Sequence, residues 1–399
     1  MTEEARRLQG VPPSGIRRIF EMARQLEARG VDVIHLELGR PDFDTPAHIK
    51  EAAKASLDRG EVHYTSNYGT PALCQAIANK LARDNGLTYD PSGEIVTTVG
   101  AGEAIFLVLA AYLNPDDEVL VLDPGWLNYA QVPAMLGATA VPVPLAESDA
   151  YALHPDILEA RITPRTRGLI LNSPHNPTGV GLSRDTLEAV ARMVERHGLW
   201  VISDEIYEHI TYDGFRHTSF ASLPGMRDRT FLVNGCSKAY SMTGWRIGYV
   251  AAPRRLIAPI LKVHQYLITC ATSFAQAGAA AALSGPQQCV ADMTSEFARR
   301  REALLAALAE IPGVSCVRPH GAFYLFPNVR VYGLAADAMA EYLLQHAGVA
   351  VVPGSAFGAE GEGHVRVSYC TALERVVEGG RRIARALADL AAQGVPGSL

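Results

Sequence analysis

Lys238 follows a short apolar run, in Asn234-Gly235-Cys236-Ser237-Lys238, and eight residues on stands Arg246, within Ser241-Met242-Thr243-Gly244-Trp245-Arg246. A lysine amine attacks a carbonyl only where its neighbours let it shed its proton near neutral pH. A guanidinium fork at a fixed spacing can grip a phosphate through two parallel hydrogen bonds. The pair therefore suits an amine that attacks an aldehyde anchored by its phosphate. An isolated Ser-Lys is commonly a solvated surface charge, so this reading depends on what else reaches the same place.

Several other residues offer matching chemistry, each with a plainer alternative. Asp204 follows the apolar run 199–203; drawn inward, its carboxylate would pair with a protonated ring nitrogen and keep that ring an electron sink. The alternative is a helix cap. Tyr207 stands one turn on and can donate to a phenolic oxygen, or simply pack. Asn176, between Pro174 and Pro177, is either an amide held rigidly against a cofactor oxygen or part of an ordinary turn. Trp126 is a flat face for stacking on a heteroaromatic ring, or a core aromatic. Arg366, in Val365-Arg366-Val367-Ser368-Tyr369, is a carboxylate clamp if its strand face meets a crevice, and otherwise marks an exposed sheet face. Gly100-Ala101-Gly102-Glu103-Ala104-Ile105 has Gly-x-Gly after a strand, but Ile105 stands where a dinucleotide fingerprint needs Gly or Ala. What survives is a glycine turn into a helix N-terminus, which suits one phosphate.

The elements that must position these residues are short strands alternating with helical patterns. Strands are expected at 94–99, 118–122, 168–171, 199–203 and 230–233. Residues 183–197 form a clear helix, with Ser183 as cap, Leu187, Val190, Ala191 and Val194 on one face, and Gly198 as terminator. Alternation of this kind means βαβ units and a mostly parallel sheet covered on both faces. In such sheets the loops at the carboxyl ends of the strands build the site. Each polar group above, apart from Arg366 and Arg246, follows one of those strands. After residue 285 the texture changes: a helix over 288–310, strands at 314–317 and 322–326, a helix near 335–347, strands at 349–352 and 364–369, and a last helix over 372–393. An amphipathic helix over 16–29 and a strand over 33–36 open the chain. The expected division is a large domain, 46–284, and a smaller α+β domain from 1–45 with 285–399.

Bulk properties narrow the function classes. The chain has 399 residues, 48% of them hydrophobic, and 36 basic against 42 acidic residues, a net charge of −6. No concentrated basic face for nucleic acid is expected. The six cysteines include no Cys-x-x-Cys pair, which fits reduced thiols and a cytoplasmic protein. The N-terminus lacks the apolar run of a signal peptide, and the most apolar stretch, near 104–113, is about half the length that would cross a bilayer. No metal site is expected.

Taken together, these residues resemble the class I/II aminotransferases of pyridoxal-phosphate (PLP) fold type I, the aspartate and aromatic aminotransferase-like enzymes, over residues 14–392. The motifs are Leu38-Gly39-Arg40-Pro41-Asp42-Phe43, His63-Tyr64-Thr65-Ser66-Asn67-Tyr68-Gly69, Asn172–Gly179, Ser203–Tyr207, Ser237-Lys238 with Gly244-Trp245-Arg246, and Arg366. The resemblance implies an α/β fold with a mostly parallel sheet, one antiparallel strand and a smaller α+β domain. The antiparallel strand is 247–252: Arg246 precedes it, and only a reversed strand brings Arg246 to the common crevice.

The resemblance also implies roles. Lys238 would carry pyridoxal 5'-phosphate as a Schiff base and shuttle a proton between the substrate α-carbon and C4′. Asp204 would pair with the pyridine nitrogen, Asn176 and Tyr207 would bind the phenolic oxygen, and Trp126 would stack on the ring. Arg246, Ser237 and the backbone at Gly102-Glu103 would hold the phosphate, with Tyr64 reaching it from a second subunit of a homodimer. Gly39 and Arg366, beside Trp126 and Asn176, would receive the substrate. The implied reaction is ping-pong transamination between an amino acid and a 2-oxo acid. Gly102 stands where aspartate-specific relatives often carry Lys, so the donor is expected not to be dicarboxylic. Arg40 stands where relatives often have Glu. A PLP-dependent lyase, synthase or oxidase on the same scaffold is the alternative, and a regulatory protein retaining the fold is a third reading, disfavoured by the presence of both Lys238 and Asp204.

Overall fold

A computed structural model describes residues 4–393; the outermost parts of the two expected domains, 1–3 and 394–399, lie outside the described residues. The strands are β1 (Ile34–His35), β2 (Ile95–Thr98), β3 (Glu118–Asp123), β4 (Thr139–Pro144), β5 (Thr166–Asn172), β6 (Trp200–Asp204), β7 (Thr230–Gly235), β8 (Gly248–Ala251), β9 (Tyr324–Leu325), β10 (Val349–Ala350), β11 (Val352–Pro353) and β12 (Val365–Ser368). Seven of them form one sheet in the order β2-β8-β7-β6-β5-β3-β4. β8 runs antiparallel to both neighbours, and the other pairs are parallel. The α/β fold and its single reversed strand are thus as expected. Reversal puts the start of β8, just after Arg246, at the edge where β2, β3, β5, β6 and β7 end.

The interior strands are buried on both faces apart from residues at their starts such as Arg167, as apolar runs require in a sheet covered on both sides. The helix Arg184–His197 forms as expected. Ser183 accepts from Thr186 N at 3.1 Å and Gly198 ends the helix with φ of 65°; a cap of this type is worth about 1 kcal/mol.

β4 was not expected. Its sequence, Thr-Ala-Val-Pro-Val-Pro, carries Pro142 and Pro144, and proline removes a ladder donor. The strand lies at the sheet edge, bonded only to β3, where the missing N–H groups leave no partner unsatisfied.

The last third of the chain differs in detail from expectation. No strand forms over 314–317, where Ser315 makes only an isolated bridge to Asn328. The strand expected over 322–326 shortens to β9. The run 349–352 divides: Val349–Ala350 pairs in parallel with β1, while Val352–Pro353 pairs antiparallel with β12. Uniformly apolar residues do not reveal such a change of partner. The helices Gln288–Ala309 and Leu373–Ala392 form as expected. One buried cluster joins Ile19, Ile34 and Leu36 to Phe297, Leu343, Val376 and Leu387, packing the first helix and β1 against the C-terminal third.

Glu37, just beyond β1, is completely buried and accepts from His35 Nδ1 at 2.8 Å, while His35 Nε2 meets Glu27 at 3.1 Å. The bond to Glu37, followed in weight by opposing burial, leaves the His35 imidazole raised to about 9. A raised histidine stabilises the fold fully below its unfolded value of about 6.5, and that stability is lost as pH rises through about 9. The melting temperature should therefore fall more steeply from about pH 7 to about pH 9.5 in the wild type than in H35Q. Parallel slopes in differential scanning fluorimetry would contradict this.

Candidate active site

The strand ends and the reversed β8 enclose a cavity of ≈ 330 Å³, lined among others by Gly39, Gly102, Trp126, Asn176, Asp204, Tyr207, Ser237, Lys238, Arg246 and Arg366. These are ten of the residues expected in the site, brought together from seven separate segments.

Lys238 lies on the loop after β7, and its Nζ donates to the Gly39 carbonyl at 2.7 Å. The packing of Tyr324 against the same residue depends on glycine: a Cβ at Gly39 would lie 2.0 Å from Tyr324 Oη. Burial is the largest influence on the Lys238 amine. Arg366 and Arg246 add to it, Cys370 and Asp204 oppose it, and the amine is lowered to about 8. An amine in that range is readily deprotonated near neutral pH.

Asp204 ends β6 and is buried. Its Oδ2 accepts from Tyr129 Oη at 2.7 Å and its Oδ1 from Ile206 N at 3.2 Å. Burial raises the carboxyl to about 6, against the opposing bond from Tyr129. The helix-cap alternative is thereby set aside: the carboxylate faces a cavity, with a phenol and one backbone N–H as its partners. Asn172, at the end of β5, donates to the Asp204 carbonyl at 3.0 Å and accepts from Asn176 N at 2.9 Å, tying two strand ends together. Tyr207 Oη meets Tyr324 Oη at 2.9 Å.

Arg366 is only 2% exposed, although its alternating sequence also allowed an open sheet face; all four residues of β12 are buried. One Nη donates to Asn176 Oδ1 at 3.0 Å, the other to the Glu37 carbonyl at 2.7 Å, and Nε has no partner. Tyr324 and Phe357 flank the guanidinium, with ring centroids 4.3 and 4.9 Å from Cζ. All its partners are neutral. A buried cation in neutral company is an anion receptor, because an isolated buried charge is costly until paired.

At the other end, the helix Ala101–Tyr112 points its N-terminus into the cavity from Gly100, whose φ is 78°. Arg246 lies against this turn, donating to the Val99 carbonyl at 3.3 Å and to the Thr243 carbonyl at 3.1 Å. A Cβ at Gly100 would stand 2.3 Å from Arg246 Nη2. Helix N–H groups, the helix dipole and a guanidinium therefore converge on one spot suited to a phosphate.

Two expected residues stand apart. Glu103 does not line the cavity: its carboxylate turns back to Val99 N and to His264 Nδ1, the latter at 2.9 Å, and its own N–H is directed at the Gly100 carbonyl at 3.2 Å. The free donors of the turn are therefore those ahead of it, at Ala101 and Gly102. Tyr64 is 87% exposed and lies outside the cavity of its own chain. Arg40 is exposed and does not line the cavity.

Tyr129, Tyr324 and Asn172 are the residues that the sequence reading missed. Asn172 was visible as the first polar residue after its strand. Tyr129 and Tyr324 resemble the chain's other buried tyrosines, and only the folded geometry aims them at Asp204 and Gly39. Because the Tyr129 bond lowers Asp204, Y129F should move the Asp204 titration upward from about 6. Infrared titration of the carboxyl band in ligand-free protein checks this, and an unmoved midpoint would contradict it.

The sequence pattern of the family "Aminotransferase class I and II" matches residues 31–379. The chain is 45% identical to an aspartate aminotransferase of Pyrococcus abyssi, over 96% of this chain and 98% of that one. It is 42% identical to aromatic-amino-acid aminotransferase 2 of Thermococcus litoralis, with the same coverages of 96% and 98%. Its structure is similar to that of Thermus thermophilus aspartate aminotransferase with maleate, with a TM-score of 0.92 at 39% identity, covering 97% of this chain and 100% of that one.

Proposed function

The chain belongs to the class I and II aminotransferases and is a transaminase; we propose that its cofactor is pyridoxal 5'-phosphate, carried by Lys238. One observation supports this above the others: the Asp204 carboxylate is buried, without a cationic partner among the described residues, in the same cavity as an amine lowered to about 8. A protonated pyridine nitrogen is the partner such a carboxylate lacks. The remaining residues fit the group as well. The cradle that a Cβ at Gly100 would fill against Arg246 suits its phosphate, together with Ser237 and the N–H groups of Ala101 and Gly102; the Glu103 N–H, expected to join them, is directed at the Gly100 carbonyl. Trp126 offers the stacking face, and Asn176 and Tyr207 the donors for a phenolic oxygen.

When bound, the cofactor supplies a conjugated ring that draws electron density from the substrate α-carbon. Asp204 keeps that ring's nitrogen protonated. Arg366, with Asn176 beside it and the Gly39 backbone lining the same cavity, receives and orients the substrate α-carboxylate. Lys238 takes the proton from the substrate α-carbon, a task suited to an amine near pKa 8. The same residues run the reverse half-reaction with a 2-oxo acid.

We further propose a homodimer in which Tyr64 reaches the partner's phosphate; its 87% exposure, beyond its own cavity, supports this. Residues 46–284 would form the cofactor domain, and 1–45 with 285–399 the smaller one, which the shared core of the first helix and the C-terminal third supports. A cytoplasmic location accords with six free cysteines, and no described helix is long and apolar enough to cross a membrane.

The donor is proposed not to be dicarboxylic. Among the described residues of one chain, the cations lining the cavity are Lys238, Arg246 and Arg366, and each already has a role above, so the chain's own cavity offers a second substrate carboxylate no further cation. The relatives' names include both aspartate and aromatic donors and do not decide the point. Single-turnover mixing of holoenzyme with a panel of amino acids should release one equivalent of 2-oxo acid without ammonia. Ammonia release in its place would count against transamination. In steady state, aspartate should rank below aromatic or aliphatic donors, and a clear lead for aspartate would overturn the donor proposal. A side chain at Gly102 meets only Trp126, at 3.8 Å, so G102K should raise kcat/KM for aspartate by about tenfold, the worth of one charge-assisted hydrogen bond. No gain would contradict the part given to Gly102 in donor choice.

A further inference from the structure

Beneath the turn that carries Asp204 and Tyr207 lies a polar network with no part in the site as described. Glu205 and Glu208 alternate with those two residues and point the other way, into the protein, where they are 1% and 8% exposed. Glu205 accepts from Ser203 Oγ at 2.8 Å, Ser219 Oγ at 2.9 Å and Phe220 N at 3.2 Å, and faces His217 Nε2 at 3.1 Å. Glu208 meets Lys80 Nζ, Asn234 Nδ2 and, at 2.7 Å, Asn85 Nδ2. Lys80, on the helix Pro71–Asn85, is 1% exposed and also donates to Asn85 Oδ1 at 2.7 Å.

Glu205, Glu208 and His217 could hold a metal ion by spacing alone. The Lys80 ammonium already sits on Glu208, however, and against the opposing pull of burial it helps to hold that carboxyl below its usual range. The countercharge is therefore built into the chain.

The connections of this ammonium reach two segments of the site. Glu208 closes the Asp204–Tyr207 turn, its N–H bonded to the Glu205 carbonyl at 2.9 Å. Asn234 is the penultimate residue of β7, its Oδ1 accepts from Gly235 N at 2.7 Å, and the loop to Lys238 begins after Gly235. We propose that Lys80 is a positioning residue: through Glu208 and Asn234 it fixes the Tyr207 turn and the Lys238 loop relative to each other. The proposal rests on the roles given above to Asp204, Tyr207 and Lys238. Fixed spacing matters because a misplacement of about 1 Å can cost about 100-fold in rate.

Removing Lys80 alone would strand a buried carboxylate and obscure the result, whereas removing both charges leaves stability nearly intact. The test is therefore K80M/E208Q, with E208Q as the milder companion. The double variant should melt near the wild type as apoenzyme. Its holoenzyme should show altered visible circular dichroism of the bound cofactor, and a kcat lower by about 10- to 100-fold. E208Q should change in the same direction to a smaller extent, and it decides the matter by the same readouts if the double variant fails to fold. Wild-type dichroism and kcat in a folded variant would overturn the proposal, as would failure of both variants to fold, since the network would then serve the fold alone. A wild type that binds no cofactor would instead refute the parent reading.

Discussion

The desolvated amine of Lys238 is the interaction on which the rest of the structure depends. Water would hold it protonated near its ordinary value; burial, reinforced by Arg246 and Arg366, lowers it to about 8. Yet the same cavity must keep two guanidiniums charged and Asp204 available as an anion. The fold meets both demands by distance and by partner. Asp204 sits at the end of β6 under a phenol, Arg366 comes from the other end of the chain on β12 between two rings, and Arg246 is held by carbonyls at the helix turn. Each charge thus has neutral hydrogen-bonding company, leaving its net charge to act on what enters.

Backbone geometry enforces that arrangement. A parallel sheet delivers its loops to one edge, and one strand must run backwards so that Arg246 reaches that edge. Gly39 and Gly100 are set by close contact: a single methyl at either position would collide with Tyr324 or Arg246. Tyr324 packs on Gly39, and Arg246 packs on the turn that starts the helix Ala101–Tyr112, because those positions lack side chains.

The parts legible in the sequence were those with local signatures. Strand-ending polar residues announced Asp204, Asn176 and Lys238, and the placement of Arg246 before its strand required the reversed β8. Arg366 was ambiguous, because alternation in β12 describes two faces without saying that both are covered. β4 escaped notice because proline usually argues against a strand, a rule that lapses at a sheet edge. Tyr129 and Tyr324 could not be read, since an aromatic residue in an apolar run carries no mark of where its hydroxyl will point. Glu103 was expected to contribute its backbone, but its N–H turns to the Gly100 carbonyl, a local bond that the residue pattern does not announce.

What emerges is a crevice of balanced charges in which one amine is made reactive by its surroundings and by the spacing of its neighbours. The claim that this amine carries the cofactor is open to direct chemical test. Borohydride reduction of the holoenzyme, followed by proteolysis and mass spectrometry, should place a pyridoxyl phosphate adduct on the peptide containing Lys238 and leave the other lysines unmodified. An adduct on a different lysine, or none on a protein that binds the cofactor and transaminates, would contradict the account.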